Sequence, residues 1–244
     1  MDHGFTMGQI EGLCNMTETV NAVSEGGGAN AIVLHKGGMV KGGHRKRGKD
    51  IGLIVHLSAS TSMNPRPERQ GARLHRGGGG RARRRRGLDP HQPRRAERVE
   101  DDRIGGRGGA RLQPLGGIPL LIMIYPRGKG GIDPVSPQSV GHCVRVAEEL
   151  GGADLIKTNY TGGDPETFRR ITAACSVPVM IAGGEKGGDM ETLTTIRDAI
   201  DAGAAGVCMG RNAFQRGDPA RFIAAISRVV HEGKSAAEAL ETER

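Results

Sequence analysis

The chain holds 244 residues, enough for one large core, with 36% hydrophobic residues, no Trp and a formal net charge of +8; a single α/β barrel has about this length. No run of eighteen apolar residues and no cleavable leader is legible, which excludes a membrane-spanning helix and makes a soluble, cytoplasmic protein the expectation. Cys14, Cys143, Cys175 and Cys208 are scattered without a C-x-x-C pair, so neither a disulfide framework nor a thiolate metal site is indicated, and reduced thiols are expected.

Met1-Asp2-His3-Gly4 would suit the end of a strand, whose body is expected upstream of Met1. Residues 17–24 predict a helix, with Thr17 as N-cap and Gly26-Gly27-Gly28 as its stop. The apolar run at 31–34 predicts a buried strand leading into His35-Lys36-Gly37-Gly38. A basic, glycine-containing loop is expected over 42–49 and another apolar strand over 51–57. Ser58, Ser60, Thr61 and Ser62 follow it, and they fit a polar rim and a plain turn about equally.

From Pro119 the pattern becomes regular. Strands are predicted over 120–124, 155–156, 177–181 and 205–209, alternating with helices over 137–150, 165–174, 189–202 and 218–232. Gly151-Gly152 and Gly203 read as helix stops, and Asp164 before Pro165 reads as an N-cap. Strands alternating with helices at this spacing predict a parallel sheet.

The strand at 155–156 ends in Lys157 and opens into Thr158-Asn159-Tyr160-Thr161-Gly162-Gly163. A lysine at the end of a buried strand is costly because desolvation disfavours its charge. Its stem can line the strand while its head reaches water. The other reading is an amine poised to attack a carbonyl, for which burial or a neighbouring cation supplies the free base. Two later strands end in Ala182-Gly183-Gly184 and in Gly210-Arg211. Glycines end strands for many reasons. In barrels of this kind, however, the loops after the last two strands present backbone N–H groups to a phosphate, and these two sites fit that role.

An ordered set of motifs carries a family likeness. Met1-Asp2-His3-Gly4, His35-Lys36-Gly37, Gly48-Lys49-Asp50, His56-Leu57-Ser58-Ala59-Ser60-Thr61, Tyr125-Pro126-Arg127-Gly128, Ile156-Lys157-Thr158, Ala182-Gly183-Gly184 and the run from Ala204 to Asn212 resemble the archaeal-type class I aldolases. That family includes archaeal fructose-bisphosphate aldolase, 2-amino-3,7-dideoxy-D-threo-hept-6-ulosonate synthase and a bacterial aldolase that uses aspartate semialdehyde. The resemblance covers residues 1–65 and 117–244.

It implies a single-domain TIM (β/α)₈ barrel with Lys157 on the sixth strand as the Schiff-base residue. Tyr125, ending the fifth strand, would be the general acid/base, and Asp2, ending the first, would assist proton transfer and orient the substrate. Gly183, Gly184, Gly210, Arg211, Arg127 and His56 would bind substrate and its phosphate. No cofactor and no metal are implied, because the iminium replaces the Lewis acid of a metal-dependent aldolase. The expected partner is a small phosphorylated sugar or keto substrate; neither a membrane nor nucleic acid is expected, and relatives of this kind assemble into homo-oligomeric rings. Met123, two residues before the tyrosine, leans toward the heptulosonate synthases, since the fructose-bisphosphate aldolases tend to carry tryptophan there.

Residues 66–116 depart from this pattern. Between Arg66 and Arg111 lie fifteen Arg, no Lys and six acids, whereas the rest of the chain holds twenty bases against twenty-one acids. A buried parallel strand needs a near-continuous apolar run, and residues 66–111 offer only Leu74, Leu88, Val99 and Ile104 as large apolar side chains. The fourth barrel strand is therefore expected to be replaced, leaving unpaired sheet edges, with aggregation or inactivity as the consequence. Reading the codons one base later permits the peptides KVLVCTVEEA, VSIHINLG and DCNRWG, which resemble the missing strand-helix-strand. A compensated frameshift, one base gained near Pro65 and one lost near Gly116-Gly117, is the favoured reading. The alternative is an Arg/Gly-rich arm that neutralises nucleic-acid phosphates on an inactive barrel remnant, without Lys, Tyr or Phe to stack on bases.

Overall fold

A computed structural model describes residues 1–25, 28–37, 51–59, 71–72, 118–127 and 132–241. The basic loop at 42–49, the hydroxyl residues Ser60, Thr61 and Ser62, the stop glycines Gly26 and Gly27, and all of 66–116 except 71–72 lie outside the described residues.

The strands are β1 (Ala31–Leu34), β2 (Gly52–Val55), β3 (Ser58–Ala59), β4 (Gly71–Ala72), β5 (Leu121–Met123), β6 (Leu155–Thr158), β7 (Val179–Ala182) and β8 (Gly206–Cys208). The helices are α1 (His3–Met7), α2 (Met16–Glu25), α3 (Pro137–Arg145, continued by a wider π turn, Val146–Leu150), α4 (Pro165–Ala173), α5 (Asp189–Asp201), α6 (Arg211–Phe214), α7 (Pro219–His231) and α8 (Ala236–Glu241). β5, β6, β7 and β8 pair in that order, all parallel, and β1 pairs in parallel with β2. β3 and β4 form a short antiparallel ladder. Helices join the consecutive parallel strands from β5 onward, which is the alternation that the sequence predicts. The result is a TIM-barrel-like α/β fold, with fewer and shorter strands among the described residues than a complete eight-stranded barrel.

Each parallel strand presents one set of side chains to the helices and the alternate set to the barrel interior. Ile156, Val179 and Ile181 pack outward with Val140, Val144, Phe168 and Ile171 of α3 and α4. A second cluster joins Leu193 and Ile196 of α5 to Phe222 and Val229 of α7 and Ala239 of α8. A third brings Val20 and Val23 of α2, Ile32 and Leu34 of β1, and Phe214 and Ile223 together. That third cluster ties the first strands to the last helices, as closure of a ring requires. Gly28 belongs to the same seam, because a Cβ there would come within 2.7 Å of the Ile223 carbonyl.

Local chemistry fixes the element ends, with some corrections. Asp164 caps α4 by accepting from the Glu166 N–H at 3.0 Å, and Gly203 (φ +88°) ends the α5 turn in the left-handed region. The α2 helix starts at Met16 rather than at a Thr17 cap. Asn15 takes the capping role, its Oδ1 accepting from the Glu18 N–H at 3.4 Å. Residues 1–4 do not end a strand; Met1 and Asp2 lead directly into α1, and the Met1 nitrogen donates to the Val33 carbonyl at 2.7 Å. α6 and α8 were not anticipated, because four and six residues are too short for helical periodicity to register.

Candidate active site

Lys157 stands at the centre of the parallel sheet. Its register partners are Met123 on β5 and Met180 on β7, and its carbonyl accepts from the Ile124 N–H at 2.9 Å. Since Ile156 and Thr158 are fully buried on the helix side, strand alternation turns Lys157 to the barrel interior. Tyr125, two residues past β5, lies on the same face, and its phenol hydrogen-bonds Lys157. Burial pushes the Tyr125 hydroxyl up, outweighing the pull of the neighbouring lysine, so the phenol keeps its proton at neutral pH.

Lys157 is subject to opposing influences. Burial pushes its amine down, while Cys208, Tyr125 and Asp2 in their anionic forms, together with the Tyr125 hydrogen bond, push it up and give a net upward direction. Thiolates and phenolates ordinarily form only above neutral pH. At neutral pH, therefore, Asp2 is the anion that opposes desolvation, and the amine reaches its free form by passing its proton to a neighbour or to water.

Asp2 sits in a nest of imidazoles. Its Oδ2 lies 2.6 Å from His56 Nδ1 and its Oδ1 lies 3.3 Å from His3 Nδ1. Burial alone would push this carboxyl up. The imidazoles of His3 and His56 reverse that and hold it well below the usual carboxylate range, so it is ionised at every working pH. His56 Nε2 pairs with Ser58 Oγ at 3.0 Å, and the His56 ring stacks on His35 with centroids 4.6 Å apart. Burial, then His56, pushes His35 down. His56 Nε2 is thus engaged inside the protein, while Nδ1 faces the Asp2 carboxylate at ion-pair distance without meeting hydrogen-bond geometry. Sequence reasoning expected His56 to bind substrate; His3 and His35 lie in the quoted motifs but were assigned no role.

The glycine loops after β7 and β8 meet. Arg211 Nη2 donates to the Gly184 carbonyl at 3.0 Å, and Arg211 Nε is buried with no hydrogen-bond partner among the described residues. Gly184 takes φ +63°, and a Cβ at Gly183 would lie 2.5 Å from Met209 Cβ, so both positions call for glycine. Gly210 packs against the His3 imidazole closely enough that a Cβ would overlap Nδ1, Cε1 and Nε2 of the ring. This contact joins the Asp2 nest to the β8 loop. Arg127 is exposed beyond β5.

Gly210→Ala is expected to displace His3 and to loosen its hold on Asp2. A drop of about 1–3 kcal/mol in unfolding free energy, the scale of overpacking, should accompany it, measured by urea denaturation against the parent protein. An unchanged midpoint would show that the contact is slack.

Among the described residues no cluster of His, Cys, Asp or Glu is arranged to hold a metal ion, and no helix is long and apolar enough to cross a membrane.

Known proteins share this plan. The family model described as DeoC/LacD family aldolase matches residues 1–74 and 116–216, and the gap between the two matched stretches lies within the arginine-rich segment. A 2-amino-3,7-dideoxy-D-threo-hept-6-ulosonate synthase of Halobacterium salinarum is 40% identical over 254 residues, covering 95% of this chain and 85% of its own length. A class 1 fructose-bisphosphate aldolase of Thermoproteus tenax is also 40% identical, but over 125 residues, or 50% of this chain and 47% of that protein. The crystal structure of an archaeal fructose 1,6-bisphosphate aldolase superposes with a TM-score of 0.71 at 25% identity, covering 96% of this chain and 92% of that one. A barrel that turns one lysine inward beside a tyrosine, a family model matched on both sides of the arginine-rich segment and relatives spanning nearly the whole chain lead to one assignment: the chain belongs to the DeoC/LacD family of aldolases and has the class I, Schiff-base type of chemistry.

Proposed function

We propose that this chain makes or breaks a C–C bond in a phosphorylated keto-sugar, with Lys157 as the Schiff-base residue. The observation that carries this reading is the inward-facing Lys157 hydrogen-bonded to Tyr125, with the ionised Asp2 acting on both. The free amine adds to the ketone to give a carbinolamine, and loss of water gives an iminium. The iminium takes up the electron pair released when the C–C bond beside it breaks, or returns the pair when the bond forms. Tyr125, a neutral phenol at this position, gives a proton to the developing hydroxyl in one direction and takes it in the other. Asp2, kept ionised and oriented by His3 and His56, stabilises the cationic iminium and orients the substrate. Gly183, Gly184, Gly210 and Arg211 bind the substrate phosphate; Arg127 at the outer rim is a further substrate contact.

For the second substrate the reading favours aspartate semialdehyde, as in a heptulosonate synthase, over fructose bisphosphate. Two observations support it. In sequence, the heptulosonate synthase relative aligns along nearly the whole chain and the Thermoproteus tenax fructose-bisphosphate aldolase along half of it, while in fold the archaeal fructose 1,6-bisphosphate aldolase covers 96% of the chain. Met123 lies directly beside Lys157 in the sheet, where side-chain bulk would meet an incoming aldehyde. Offering each substrate pair separately tests the reading: disappearance of aspartate semialdehyde into a C7 product supports it, and release of triose phosphates from fructose 1,6-bisphosphate without use of the semialdehyde overturns it.

A further inference from the structure

The loop between β7 and α5 contains Gly183, Gly184, Gly187 and Gly188. Four glycines in six positions leave a chain segment with much conformational freedom to lose, yet a phosphate cradle must hold its N–H groups in place before the ligand arrives. The structure meets this requirement chiefly with one side chain. Asn212, the second residue of α6, is 2% exposed, and its amide is spent on that loop. Its Nδ2 donates to the carbonyls of Gly183 at 2.6 Å and Glu185 at 2.7 Å, and its Oδ1 accepts from the Gly187 N–H at 3.0 Å. Thr192 Oγ1 and Arg216 Nη2 approach the same oxygen at 3.4 and 3.2 Å.

A carboxylate could not replace this amide, since two of its contacts are carbonyls and demand donors. Arg216 braces the arrangement. Its Nε donates to the Asn212 carbonyl at 3.0 Å and its Nη1 to the Gly187 carbonyl at 2.9 Å. Nη1 also lies 2.6 Å from Asp189, and the guanidinium sits 4.2 Å above the Phe222 ring. The neighbour of Asn212 in sequence is Arg211, which bonds Gly184. Clamping the β7 loop to this pair of residues brings the two halves of the cradle into register.

We propose that Asn212 is a positioning residue that holds the glycine loop after β7 in its phosphate-binding form against the loop after β8. The proposal rests on the reading that a phosphate binds at Gly183, Gly184, Gly210 and Arg211. Asn212 touches backbone and not substrate, so its removal weakens phosphate binding while sparing the amine chemistry of Lys157.

The test uses the full chain and Asn212→Ala, with two readouts. Binding of inorganic phosphate is followed by phosphorus NMR, and borohydride trapping on Lys157 is measured with dihydroxyacetone and with its phosphate. In Asn212→Ala the affinity for inorganic phosphate should fall roughly ten- to hundredfold, the scale of losing hydrogen bonds that preorganise a site. The concentration of dihydroxyacetone phosphate needed for half-maximal trapping should rise by the same factor, with trapping of unphosphorylated dihydroxyacetone within about twofold of the parent. An unchanged phosphate affinity overturns the proposal, and so does an equal loss with both ketones, which would make Asn212 a part of the scaffold at large. A parent protein that traps dihydroxyacetone and binds no phosphate also overturns it. If the parent binds phosphate and traps neither ketone, the Schiff-base reading falls instead, and the phosphate titration of the variant still decides the role of Asn212.

Discussion

Lys157→Met should abolish covalent capture of a ketone phosphate. With borohydride present, the parent protein is expected to gain the mass of the reduced adduct on the peptide containing Lys157, and the variant is expected to gain none. Turnover should fall by at least about 10³-fold, the scale on which loss of a covalent nucleophile acts. The fold should survive, because the methionine side chain fits an interior face already shared by Met123 and Met180. The pH dependence has a definite sign. The attacking species is the free amine, and the net influence of its surroundings holds Lys157 above its ordinary value. The trapping rate should therefore climb from pH 6 to pH 9 without a plateau in that range, approaching tenfold per unit where no neighbour relays the proton. An adduct on another lysine, or a rate that falls with pH, would remove Lys157 from the reaction.

Tyr125→Phe should separate capture from catalysis. The substitution keeps the ring and deletes the hydroxyl that hydrogen-bonds Lys157. Loss of a general acid/base is expected to lower turnover by roughly 10²- to 10⁴-fold, while borohydride still traps an adduct at Lys157, since the nucleophile and the phosphate cradle remain. A second effect follows from charge. The hydrogen bond to the phenol oxygen favours the charged amine and pushes Lys157 up, and removing it should move the alkaline rise of trapping to lower pH. The decisive comparison is the ratio of trapping to turnover in one preparation. A fall in both by the same factor would mean that Tyr125 acts through the shape of the site and not through its proton.

These two residues were legible in the sequence because each carries its signal locally. An apolar run that ends in a lysine, and another that ends in a tyrosine followed by proline, reveal a strand and the group at its C-terminal end within five or six residues. The same holds for Asp164 and Gly203, where a cap or a stop is a property of one residue and its immediate neighbours. The strands from β5 to β8 were found for this reason, each within a residue or two of its predicted limits.

What the sequence left undetermined depended on contacts between distant segments. No local pattern says that His56 gives one nitrogen to Asp2, 54 positions earlier, and the other to Ser58. A histidine offers the same two ring nitrogens to a phosphate and to a carboxylate, and only the neighbour that the fold supplies decides between them. Asn212 was passed over for a similar reason: an asparagine after a glycine and an arginine reads as loop, and its 2% exposure and its bonds to residues 183–187 exist only once β7 and β8 lie side by side.

By itself, then, the sequence determined the class of fold, the order of its strands and helices and the lysine that ends the sixth strand, because hydrophobic period and strand-end residues are short-range properties of the chain. Tertiary structure alone decided how that amine is served: the imidazole nest around Asp2, the packing of His3 on Gly210 and the clamp of Asn212 on the glycine loop. Each of these joins groups that are distant along the chain and are brought together when the parallel strands and the ends of the chain pack side by side.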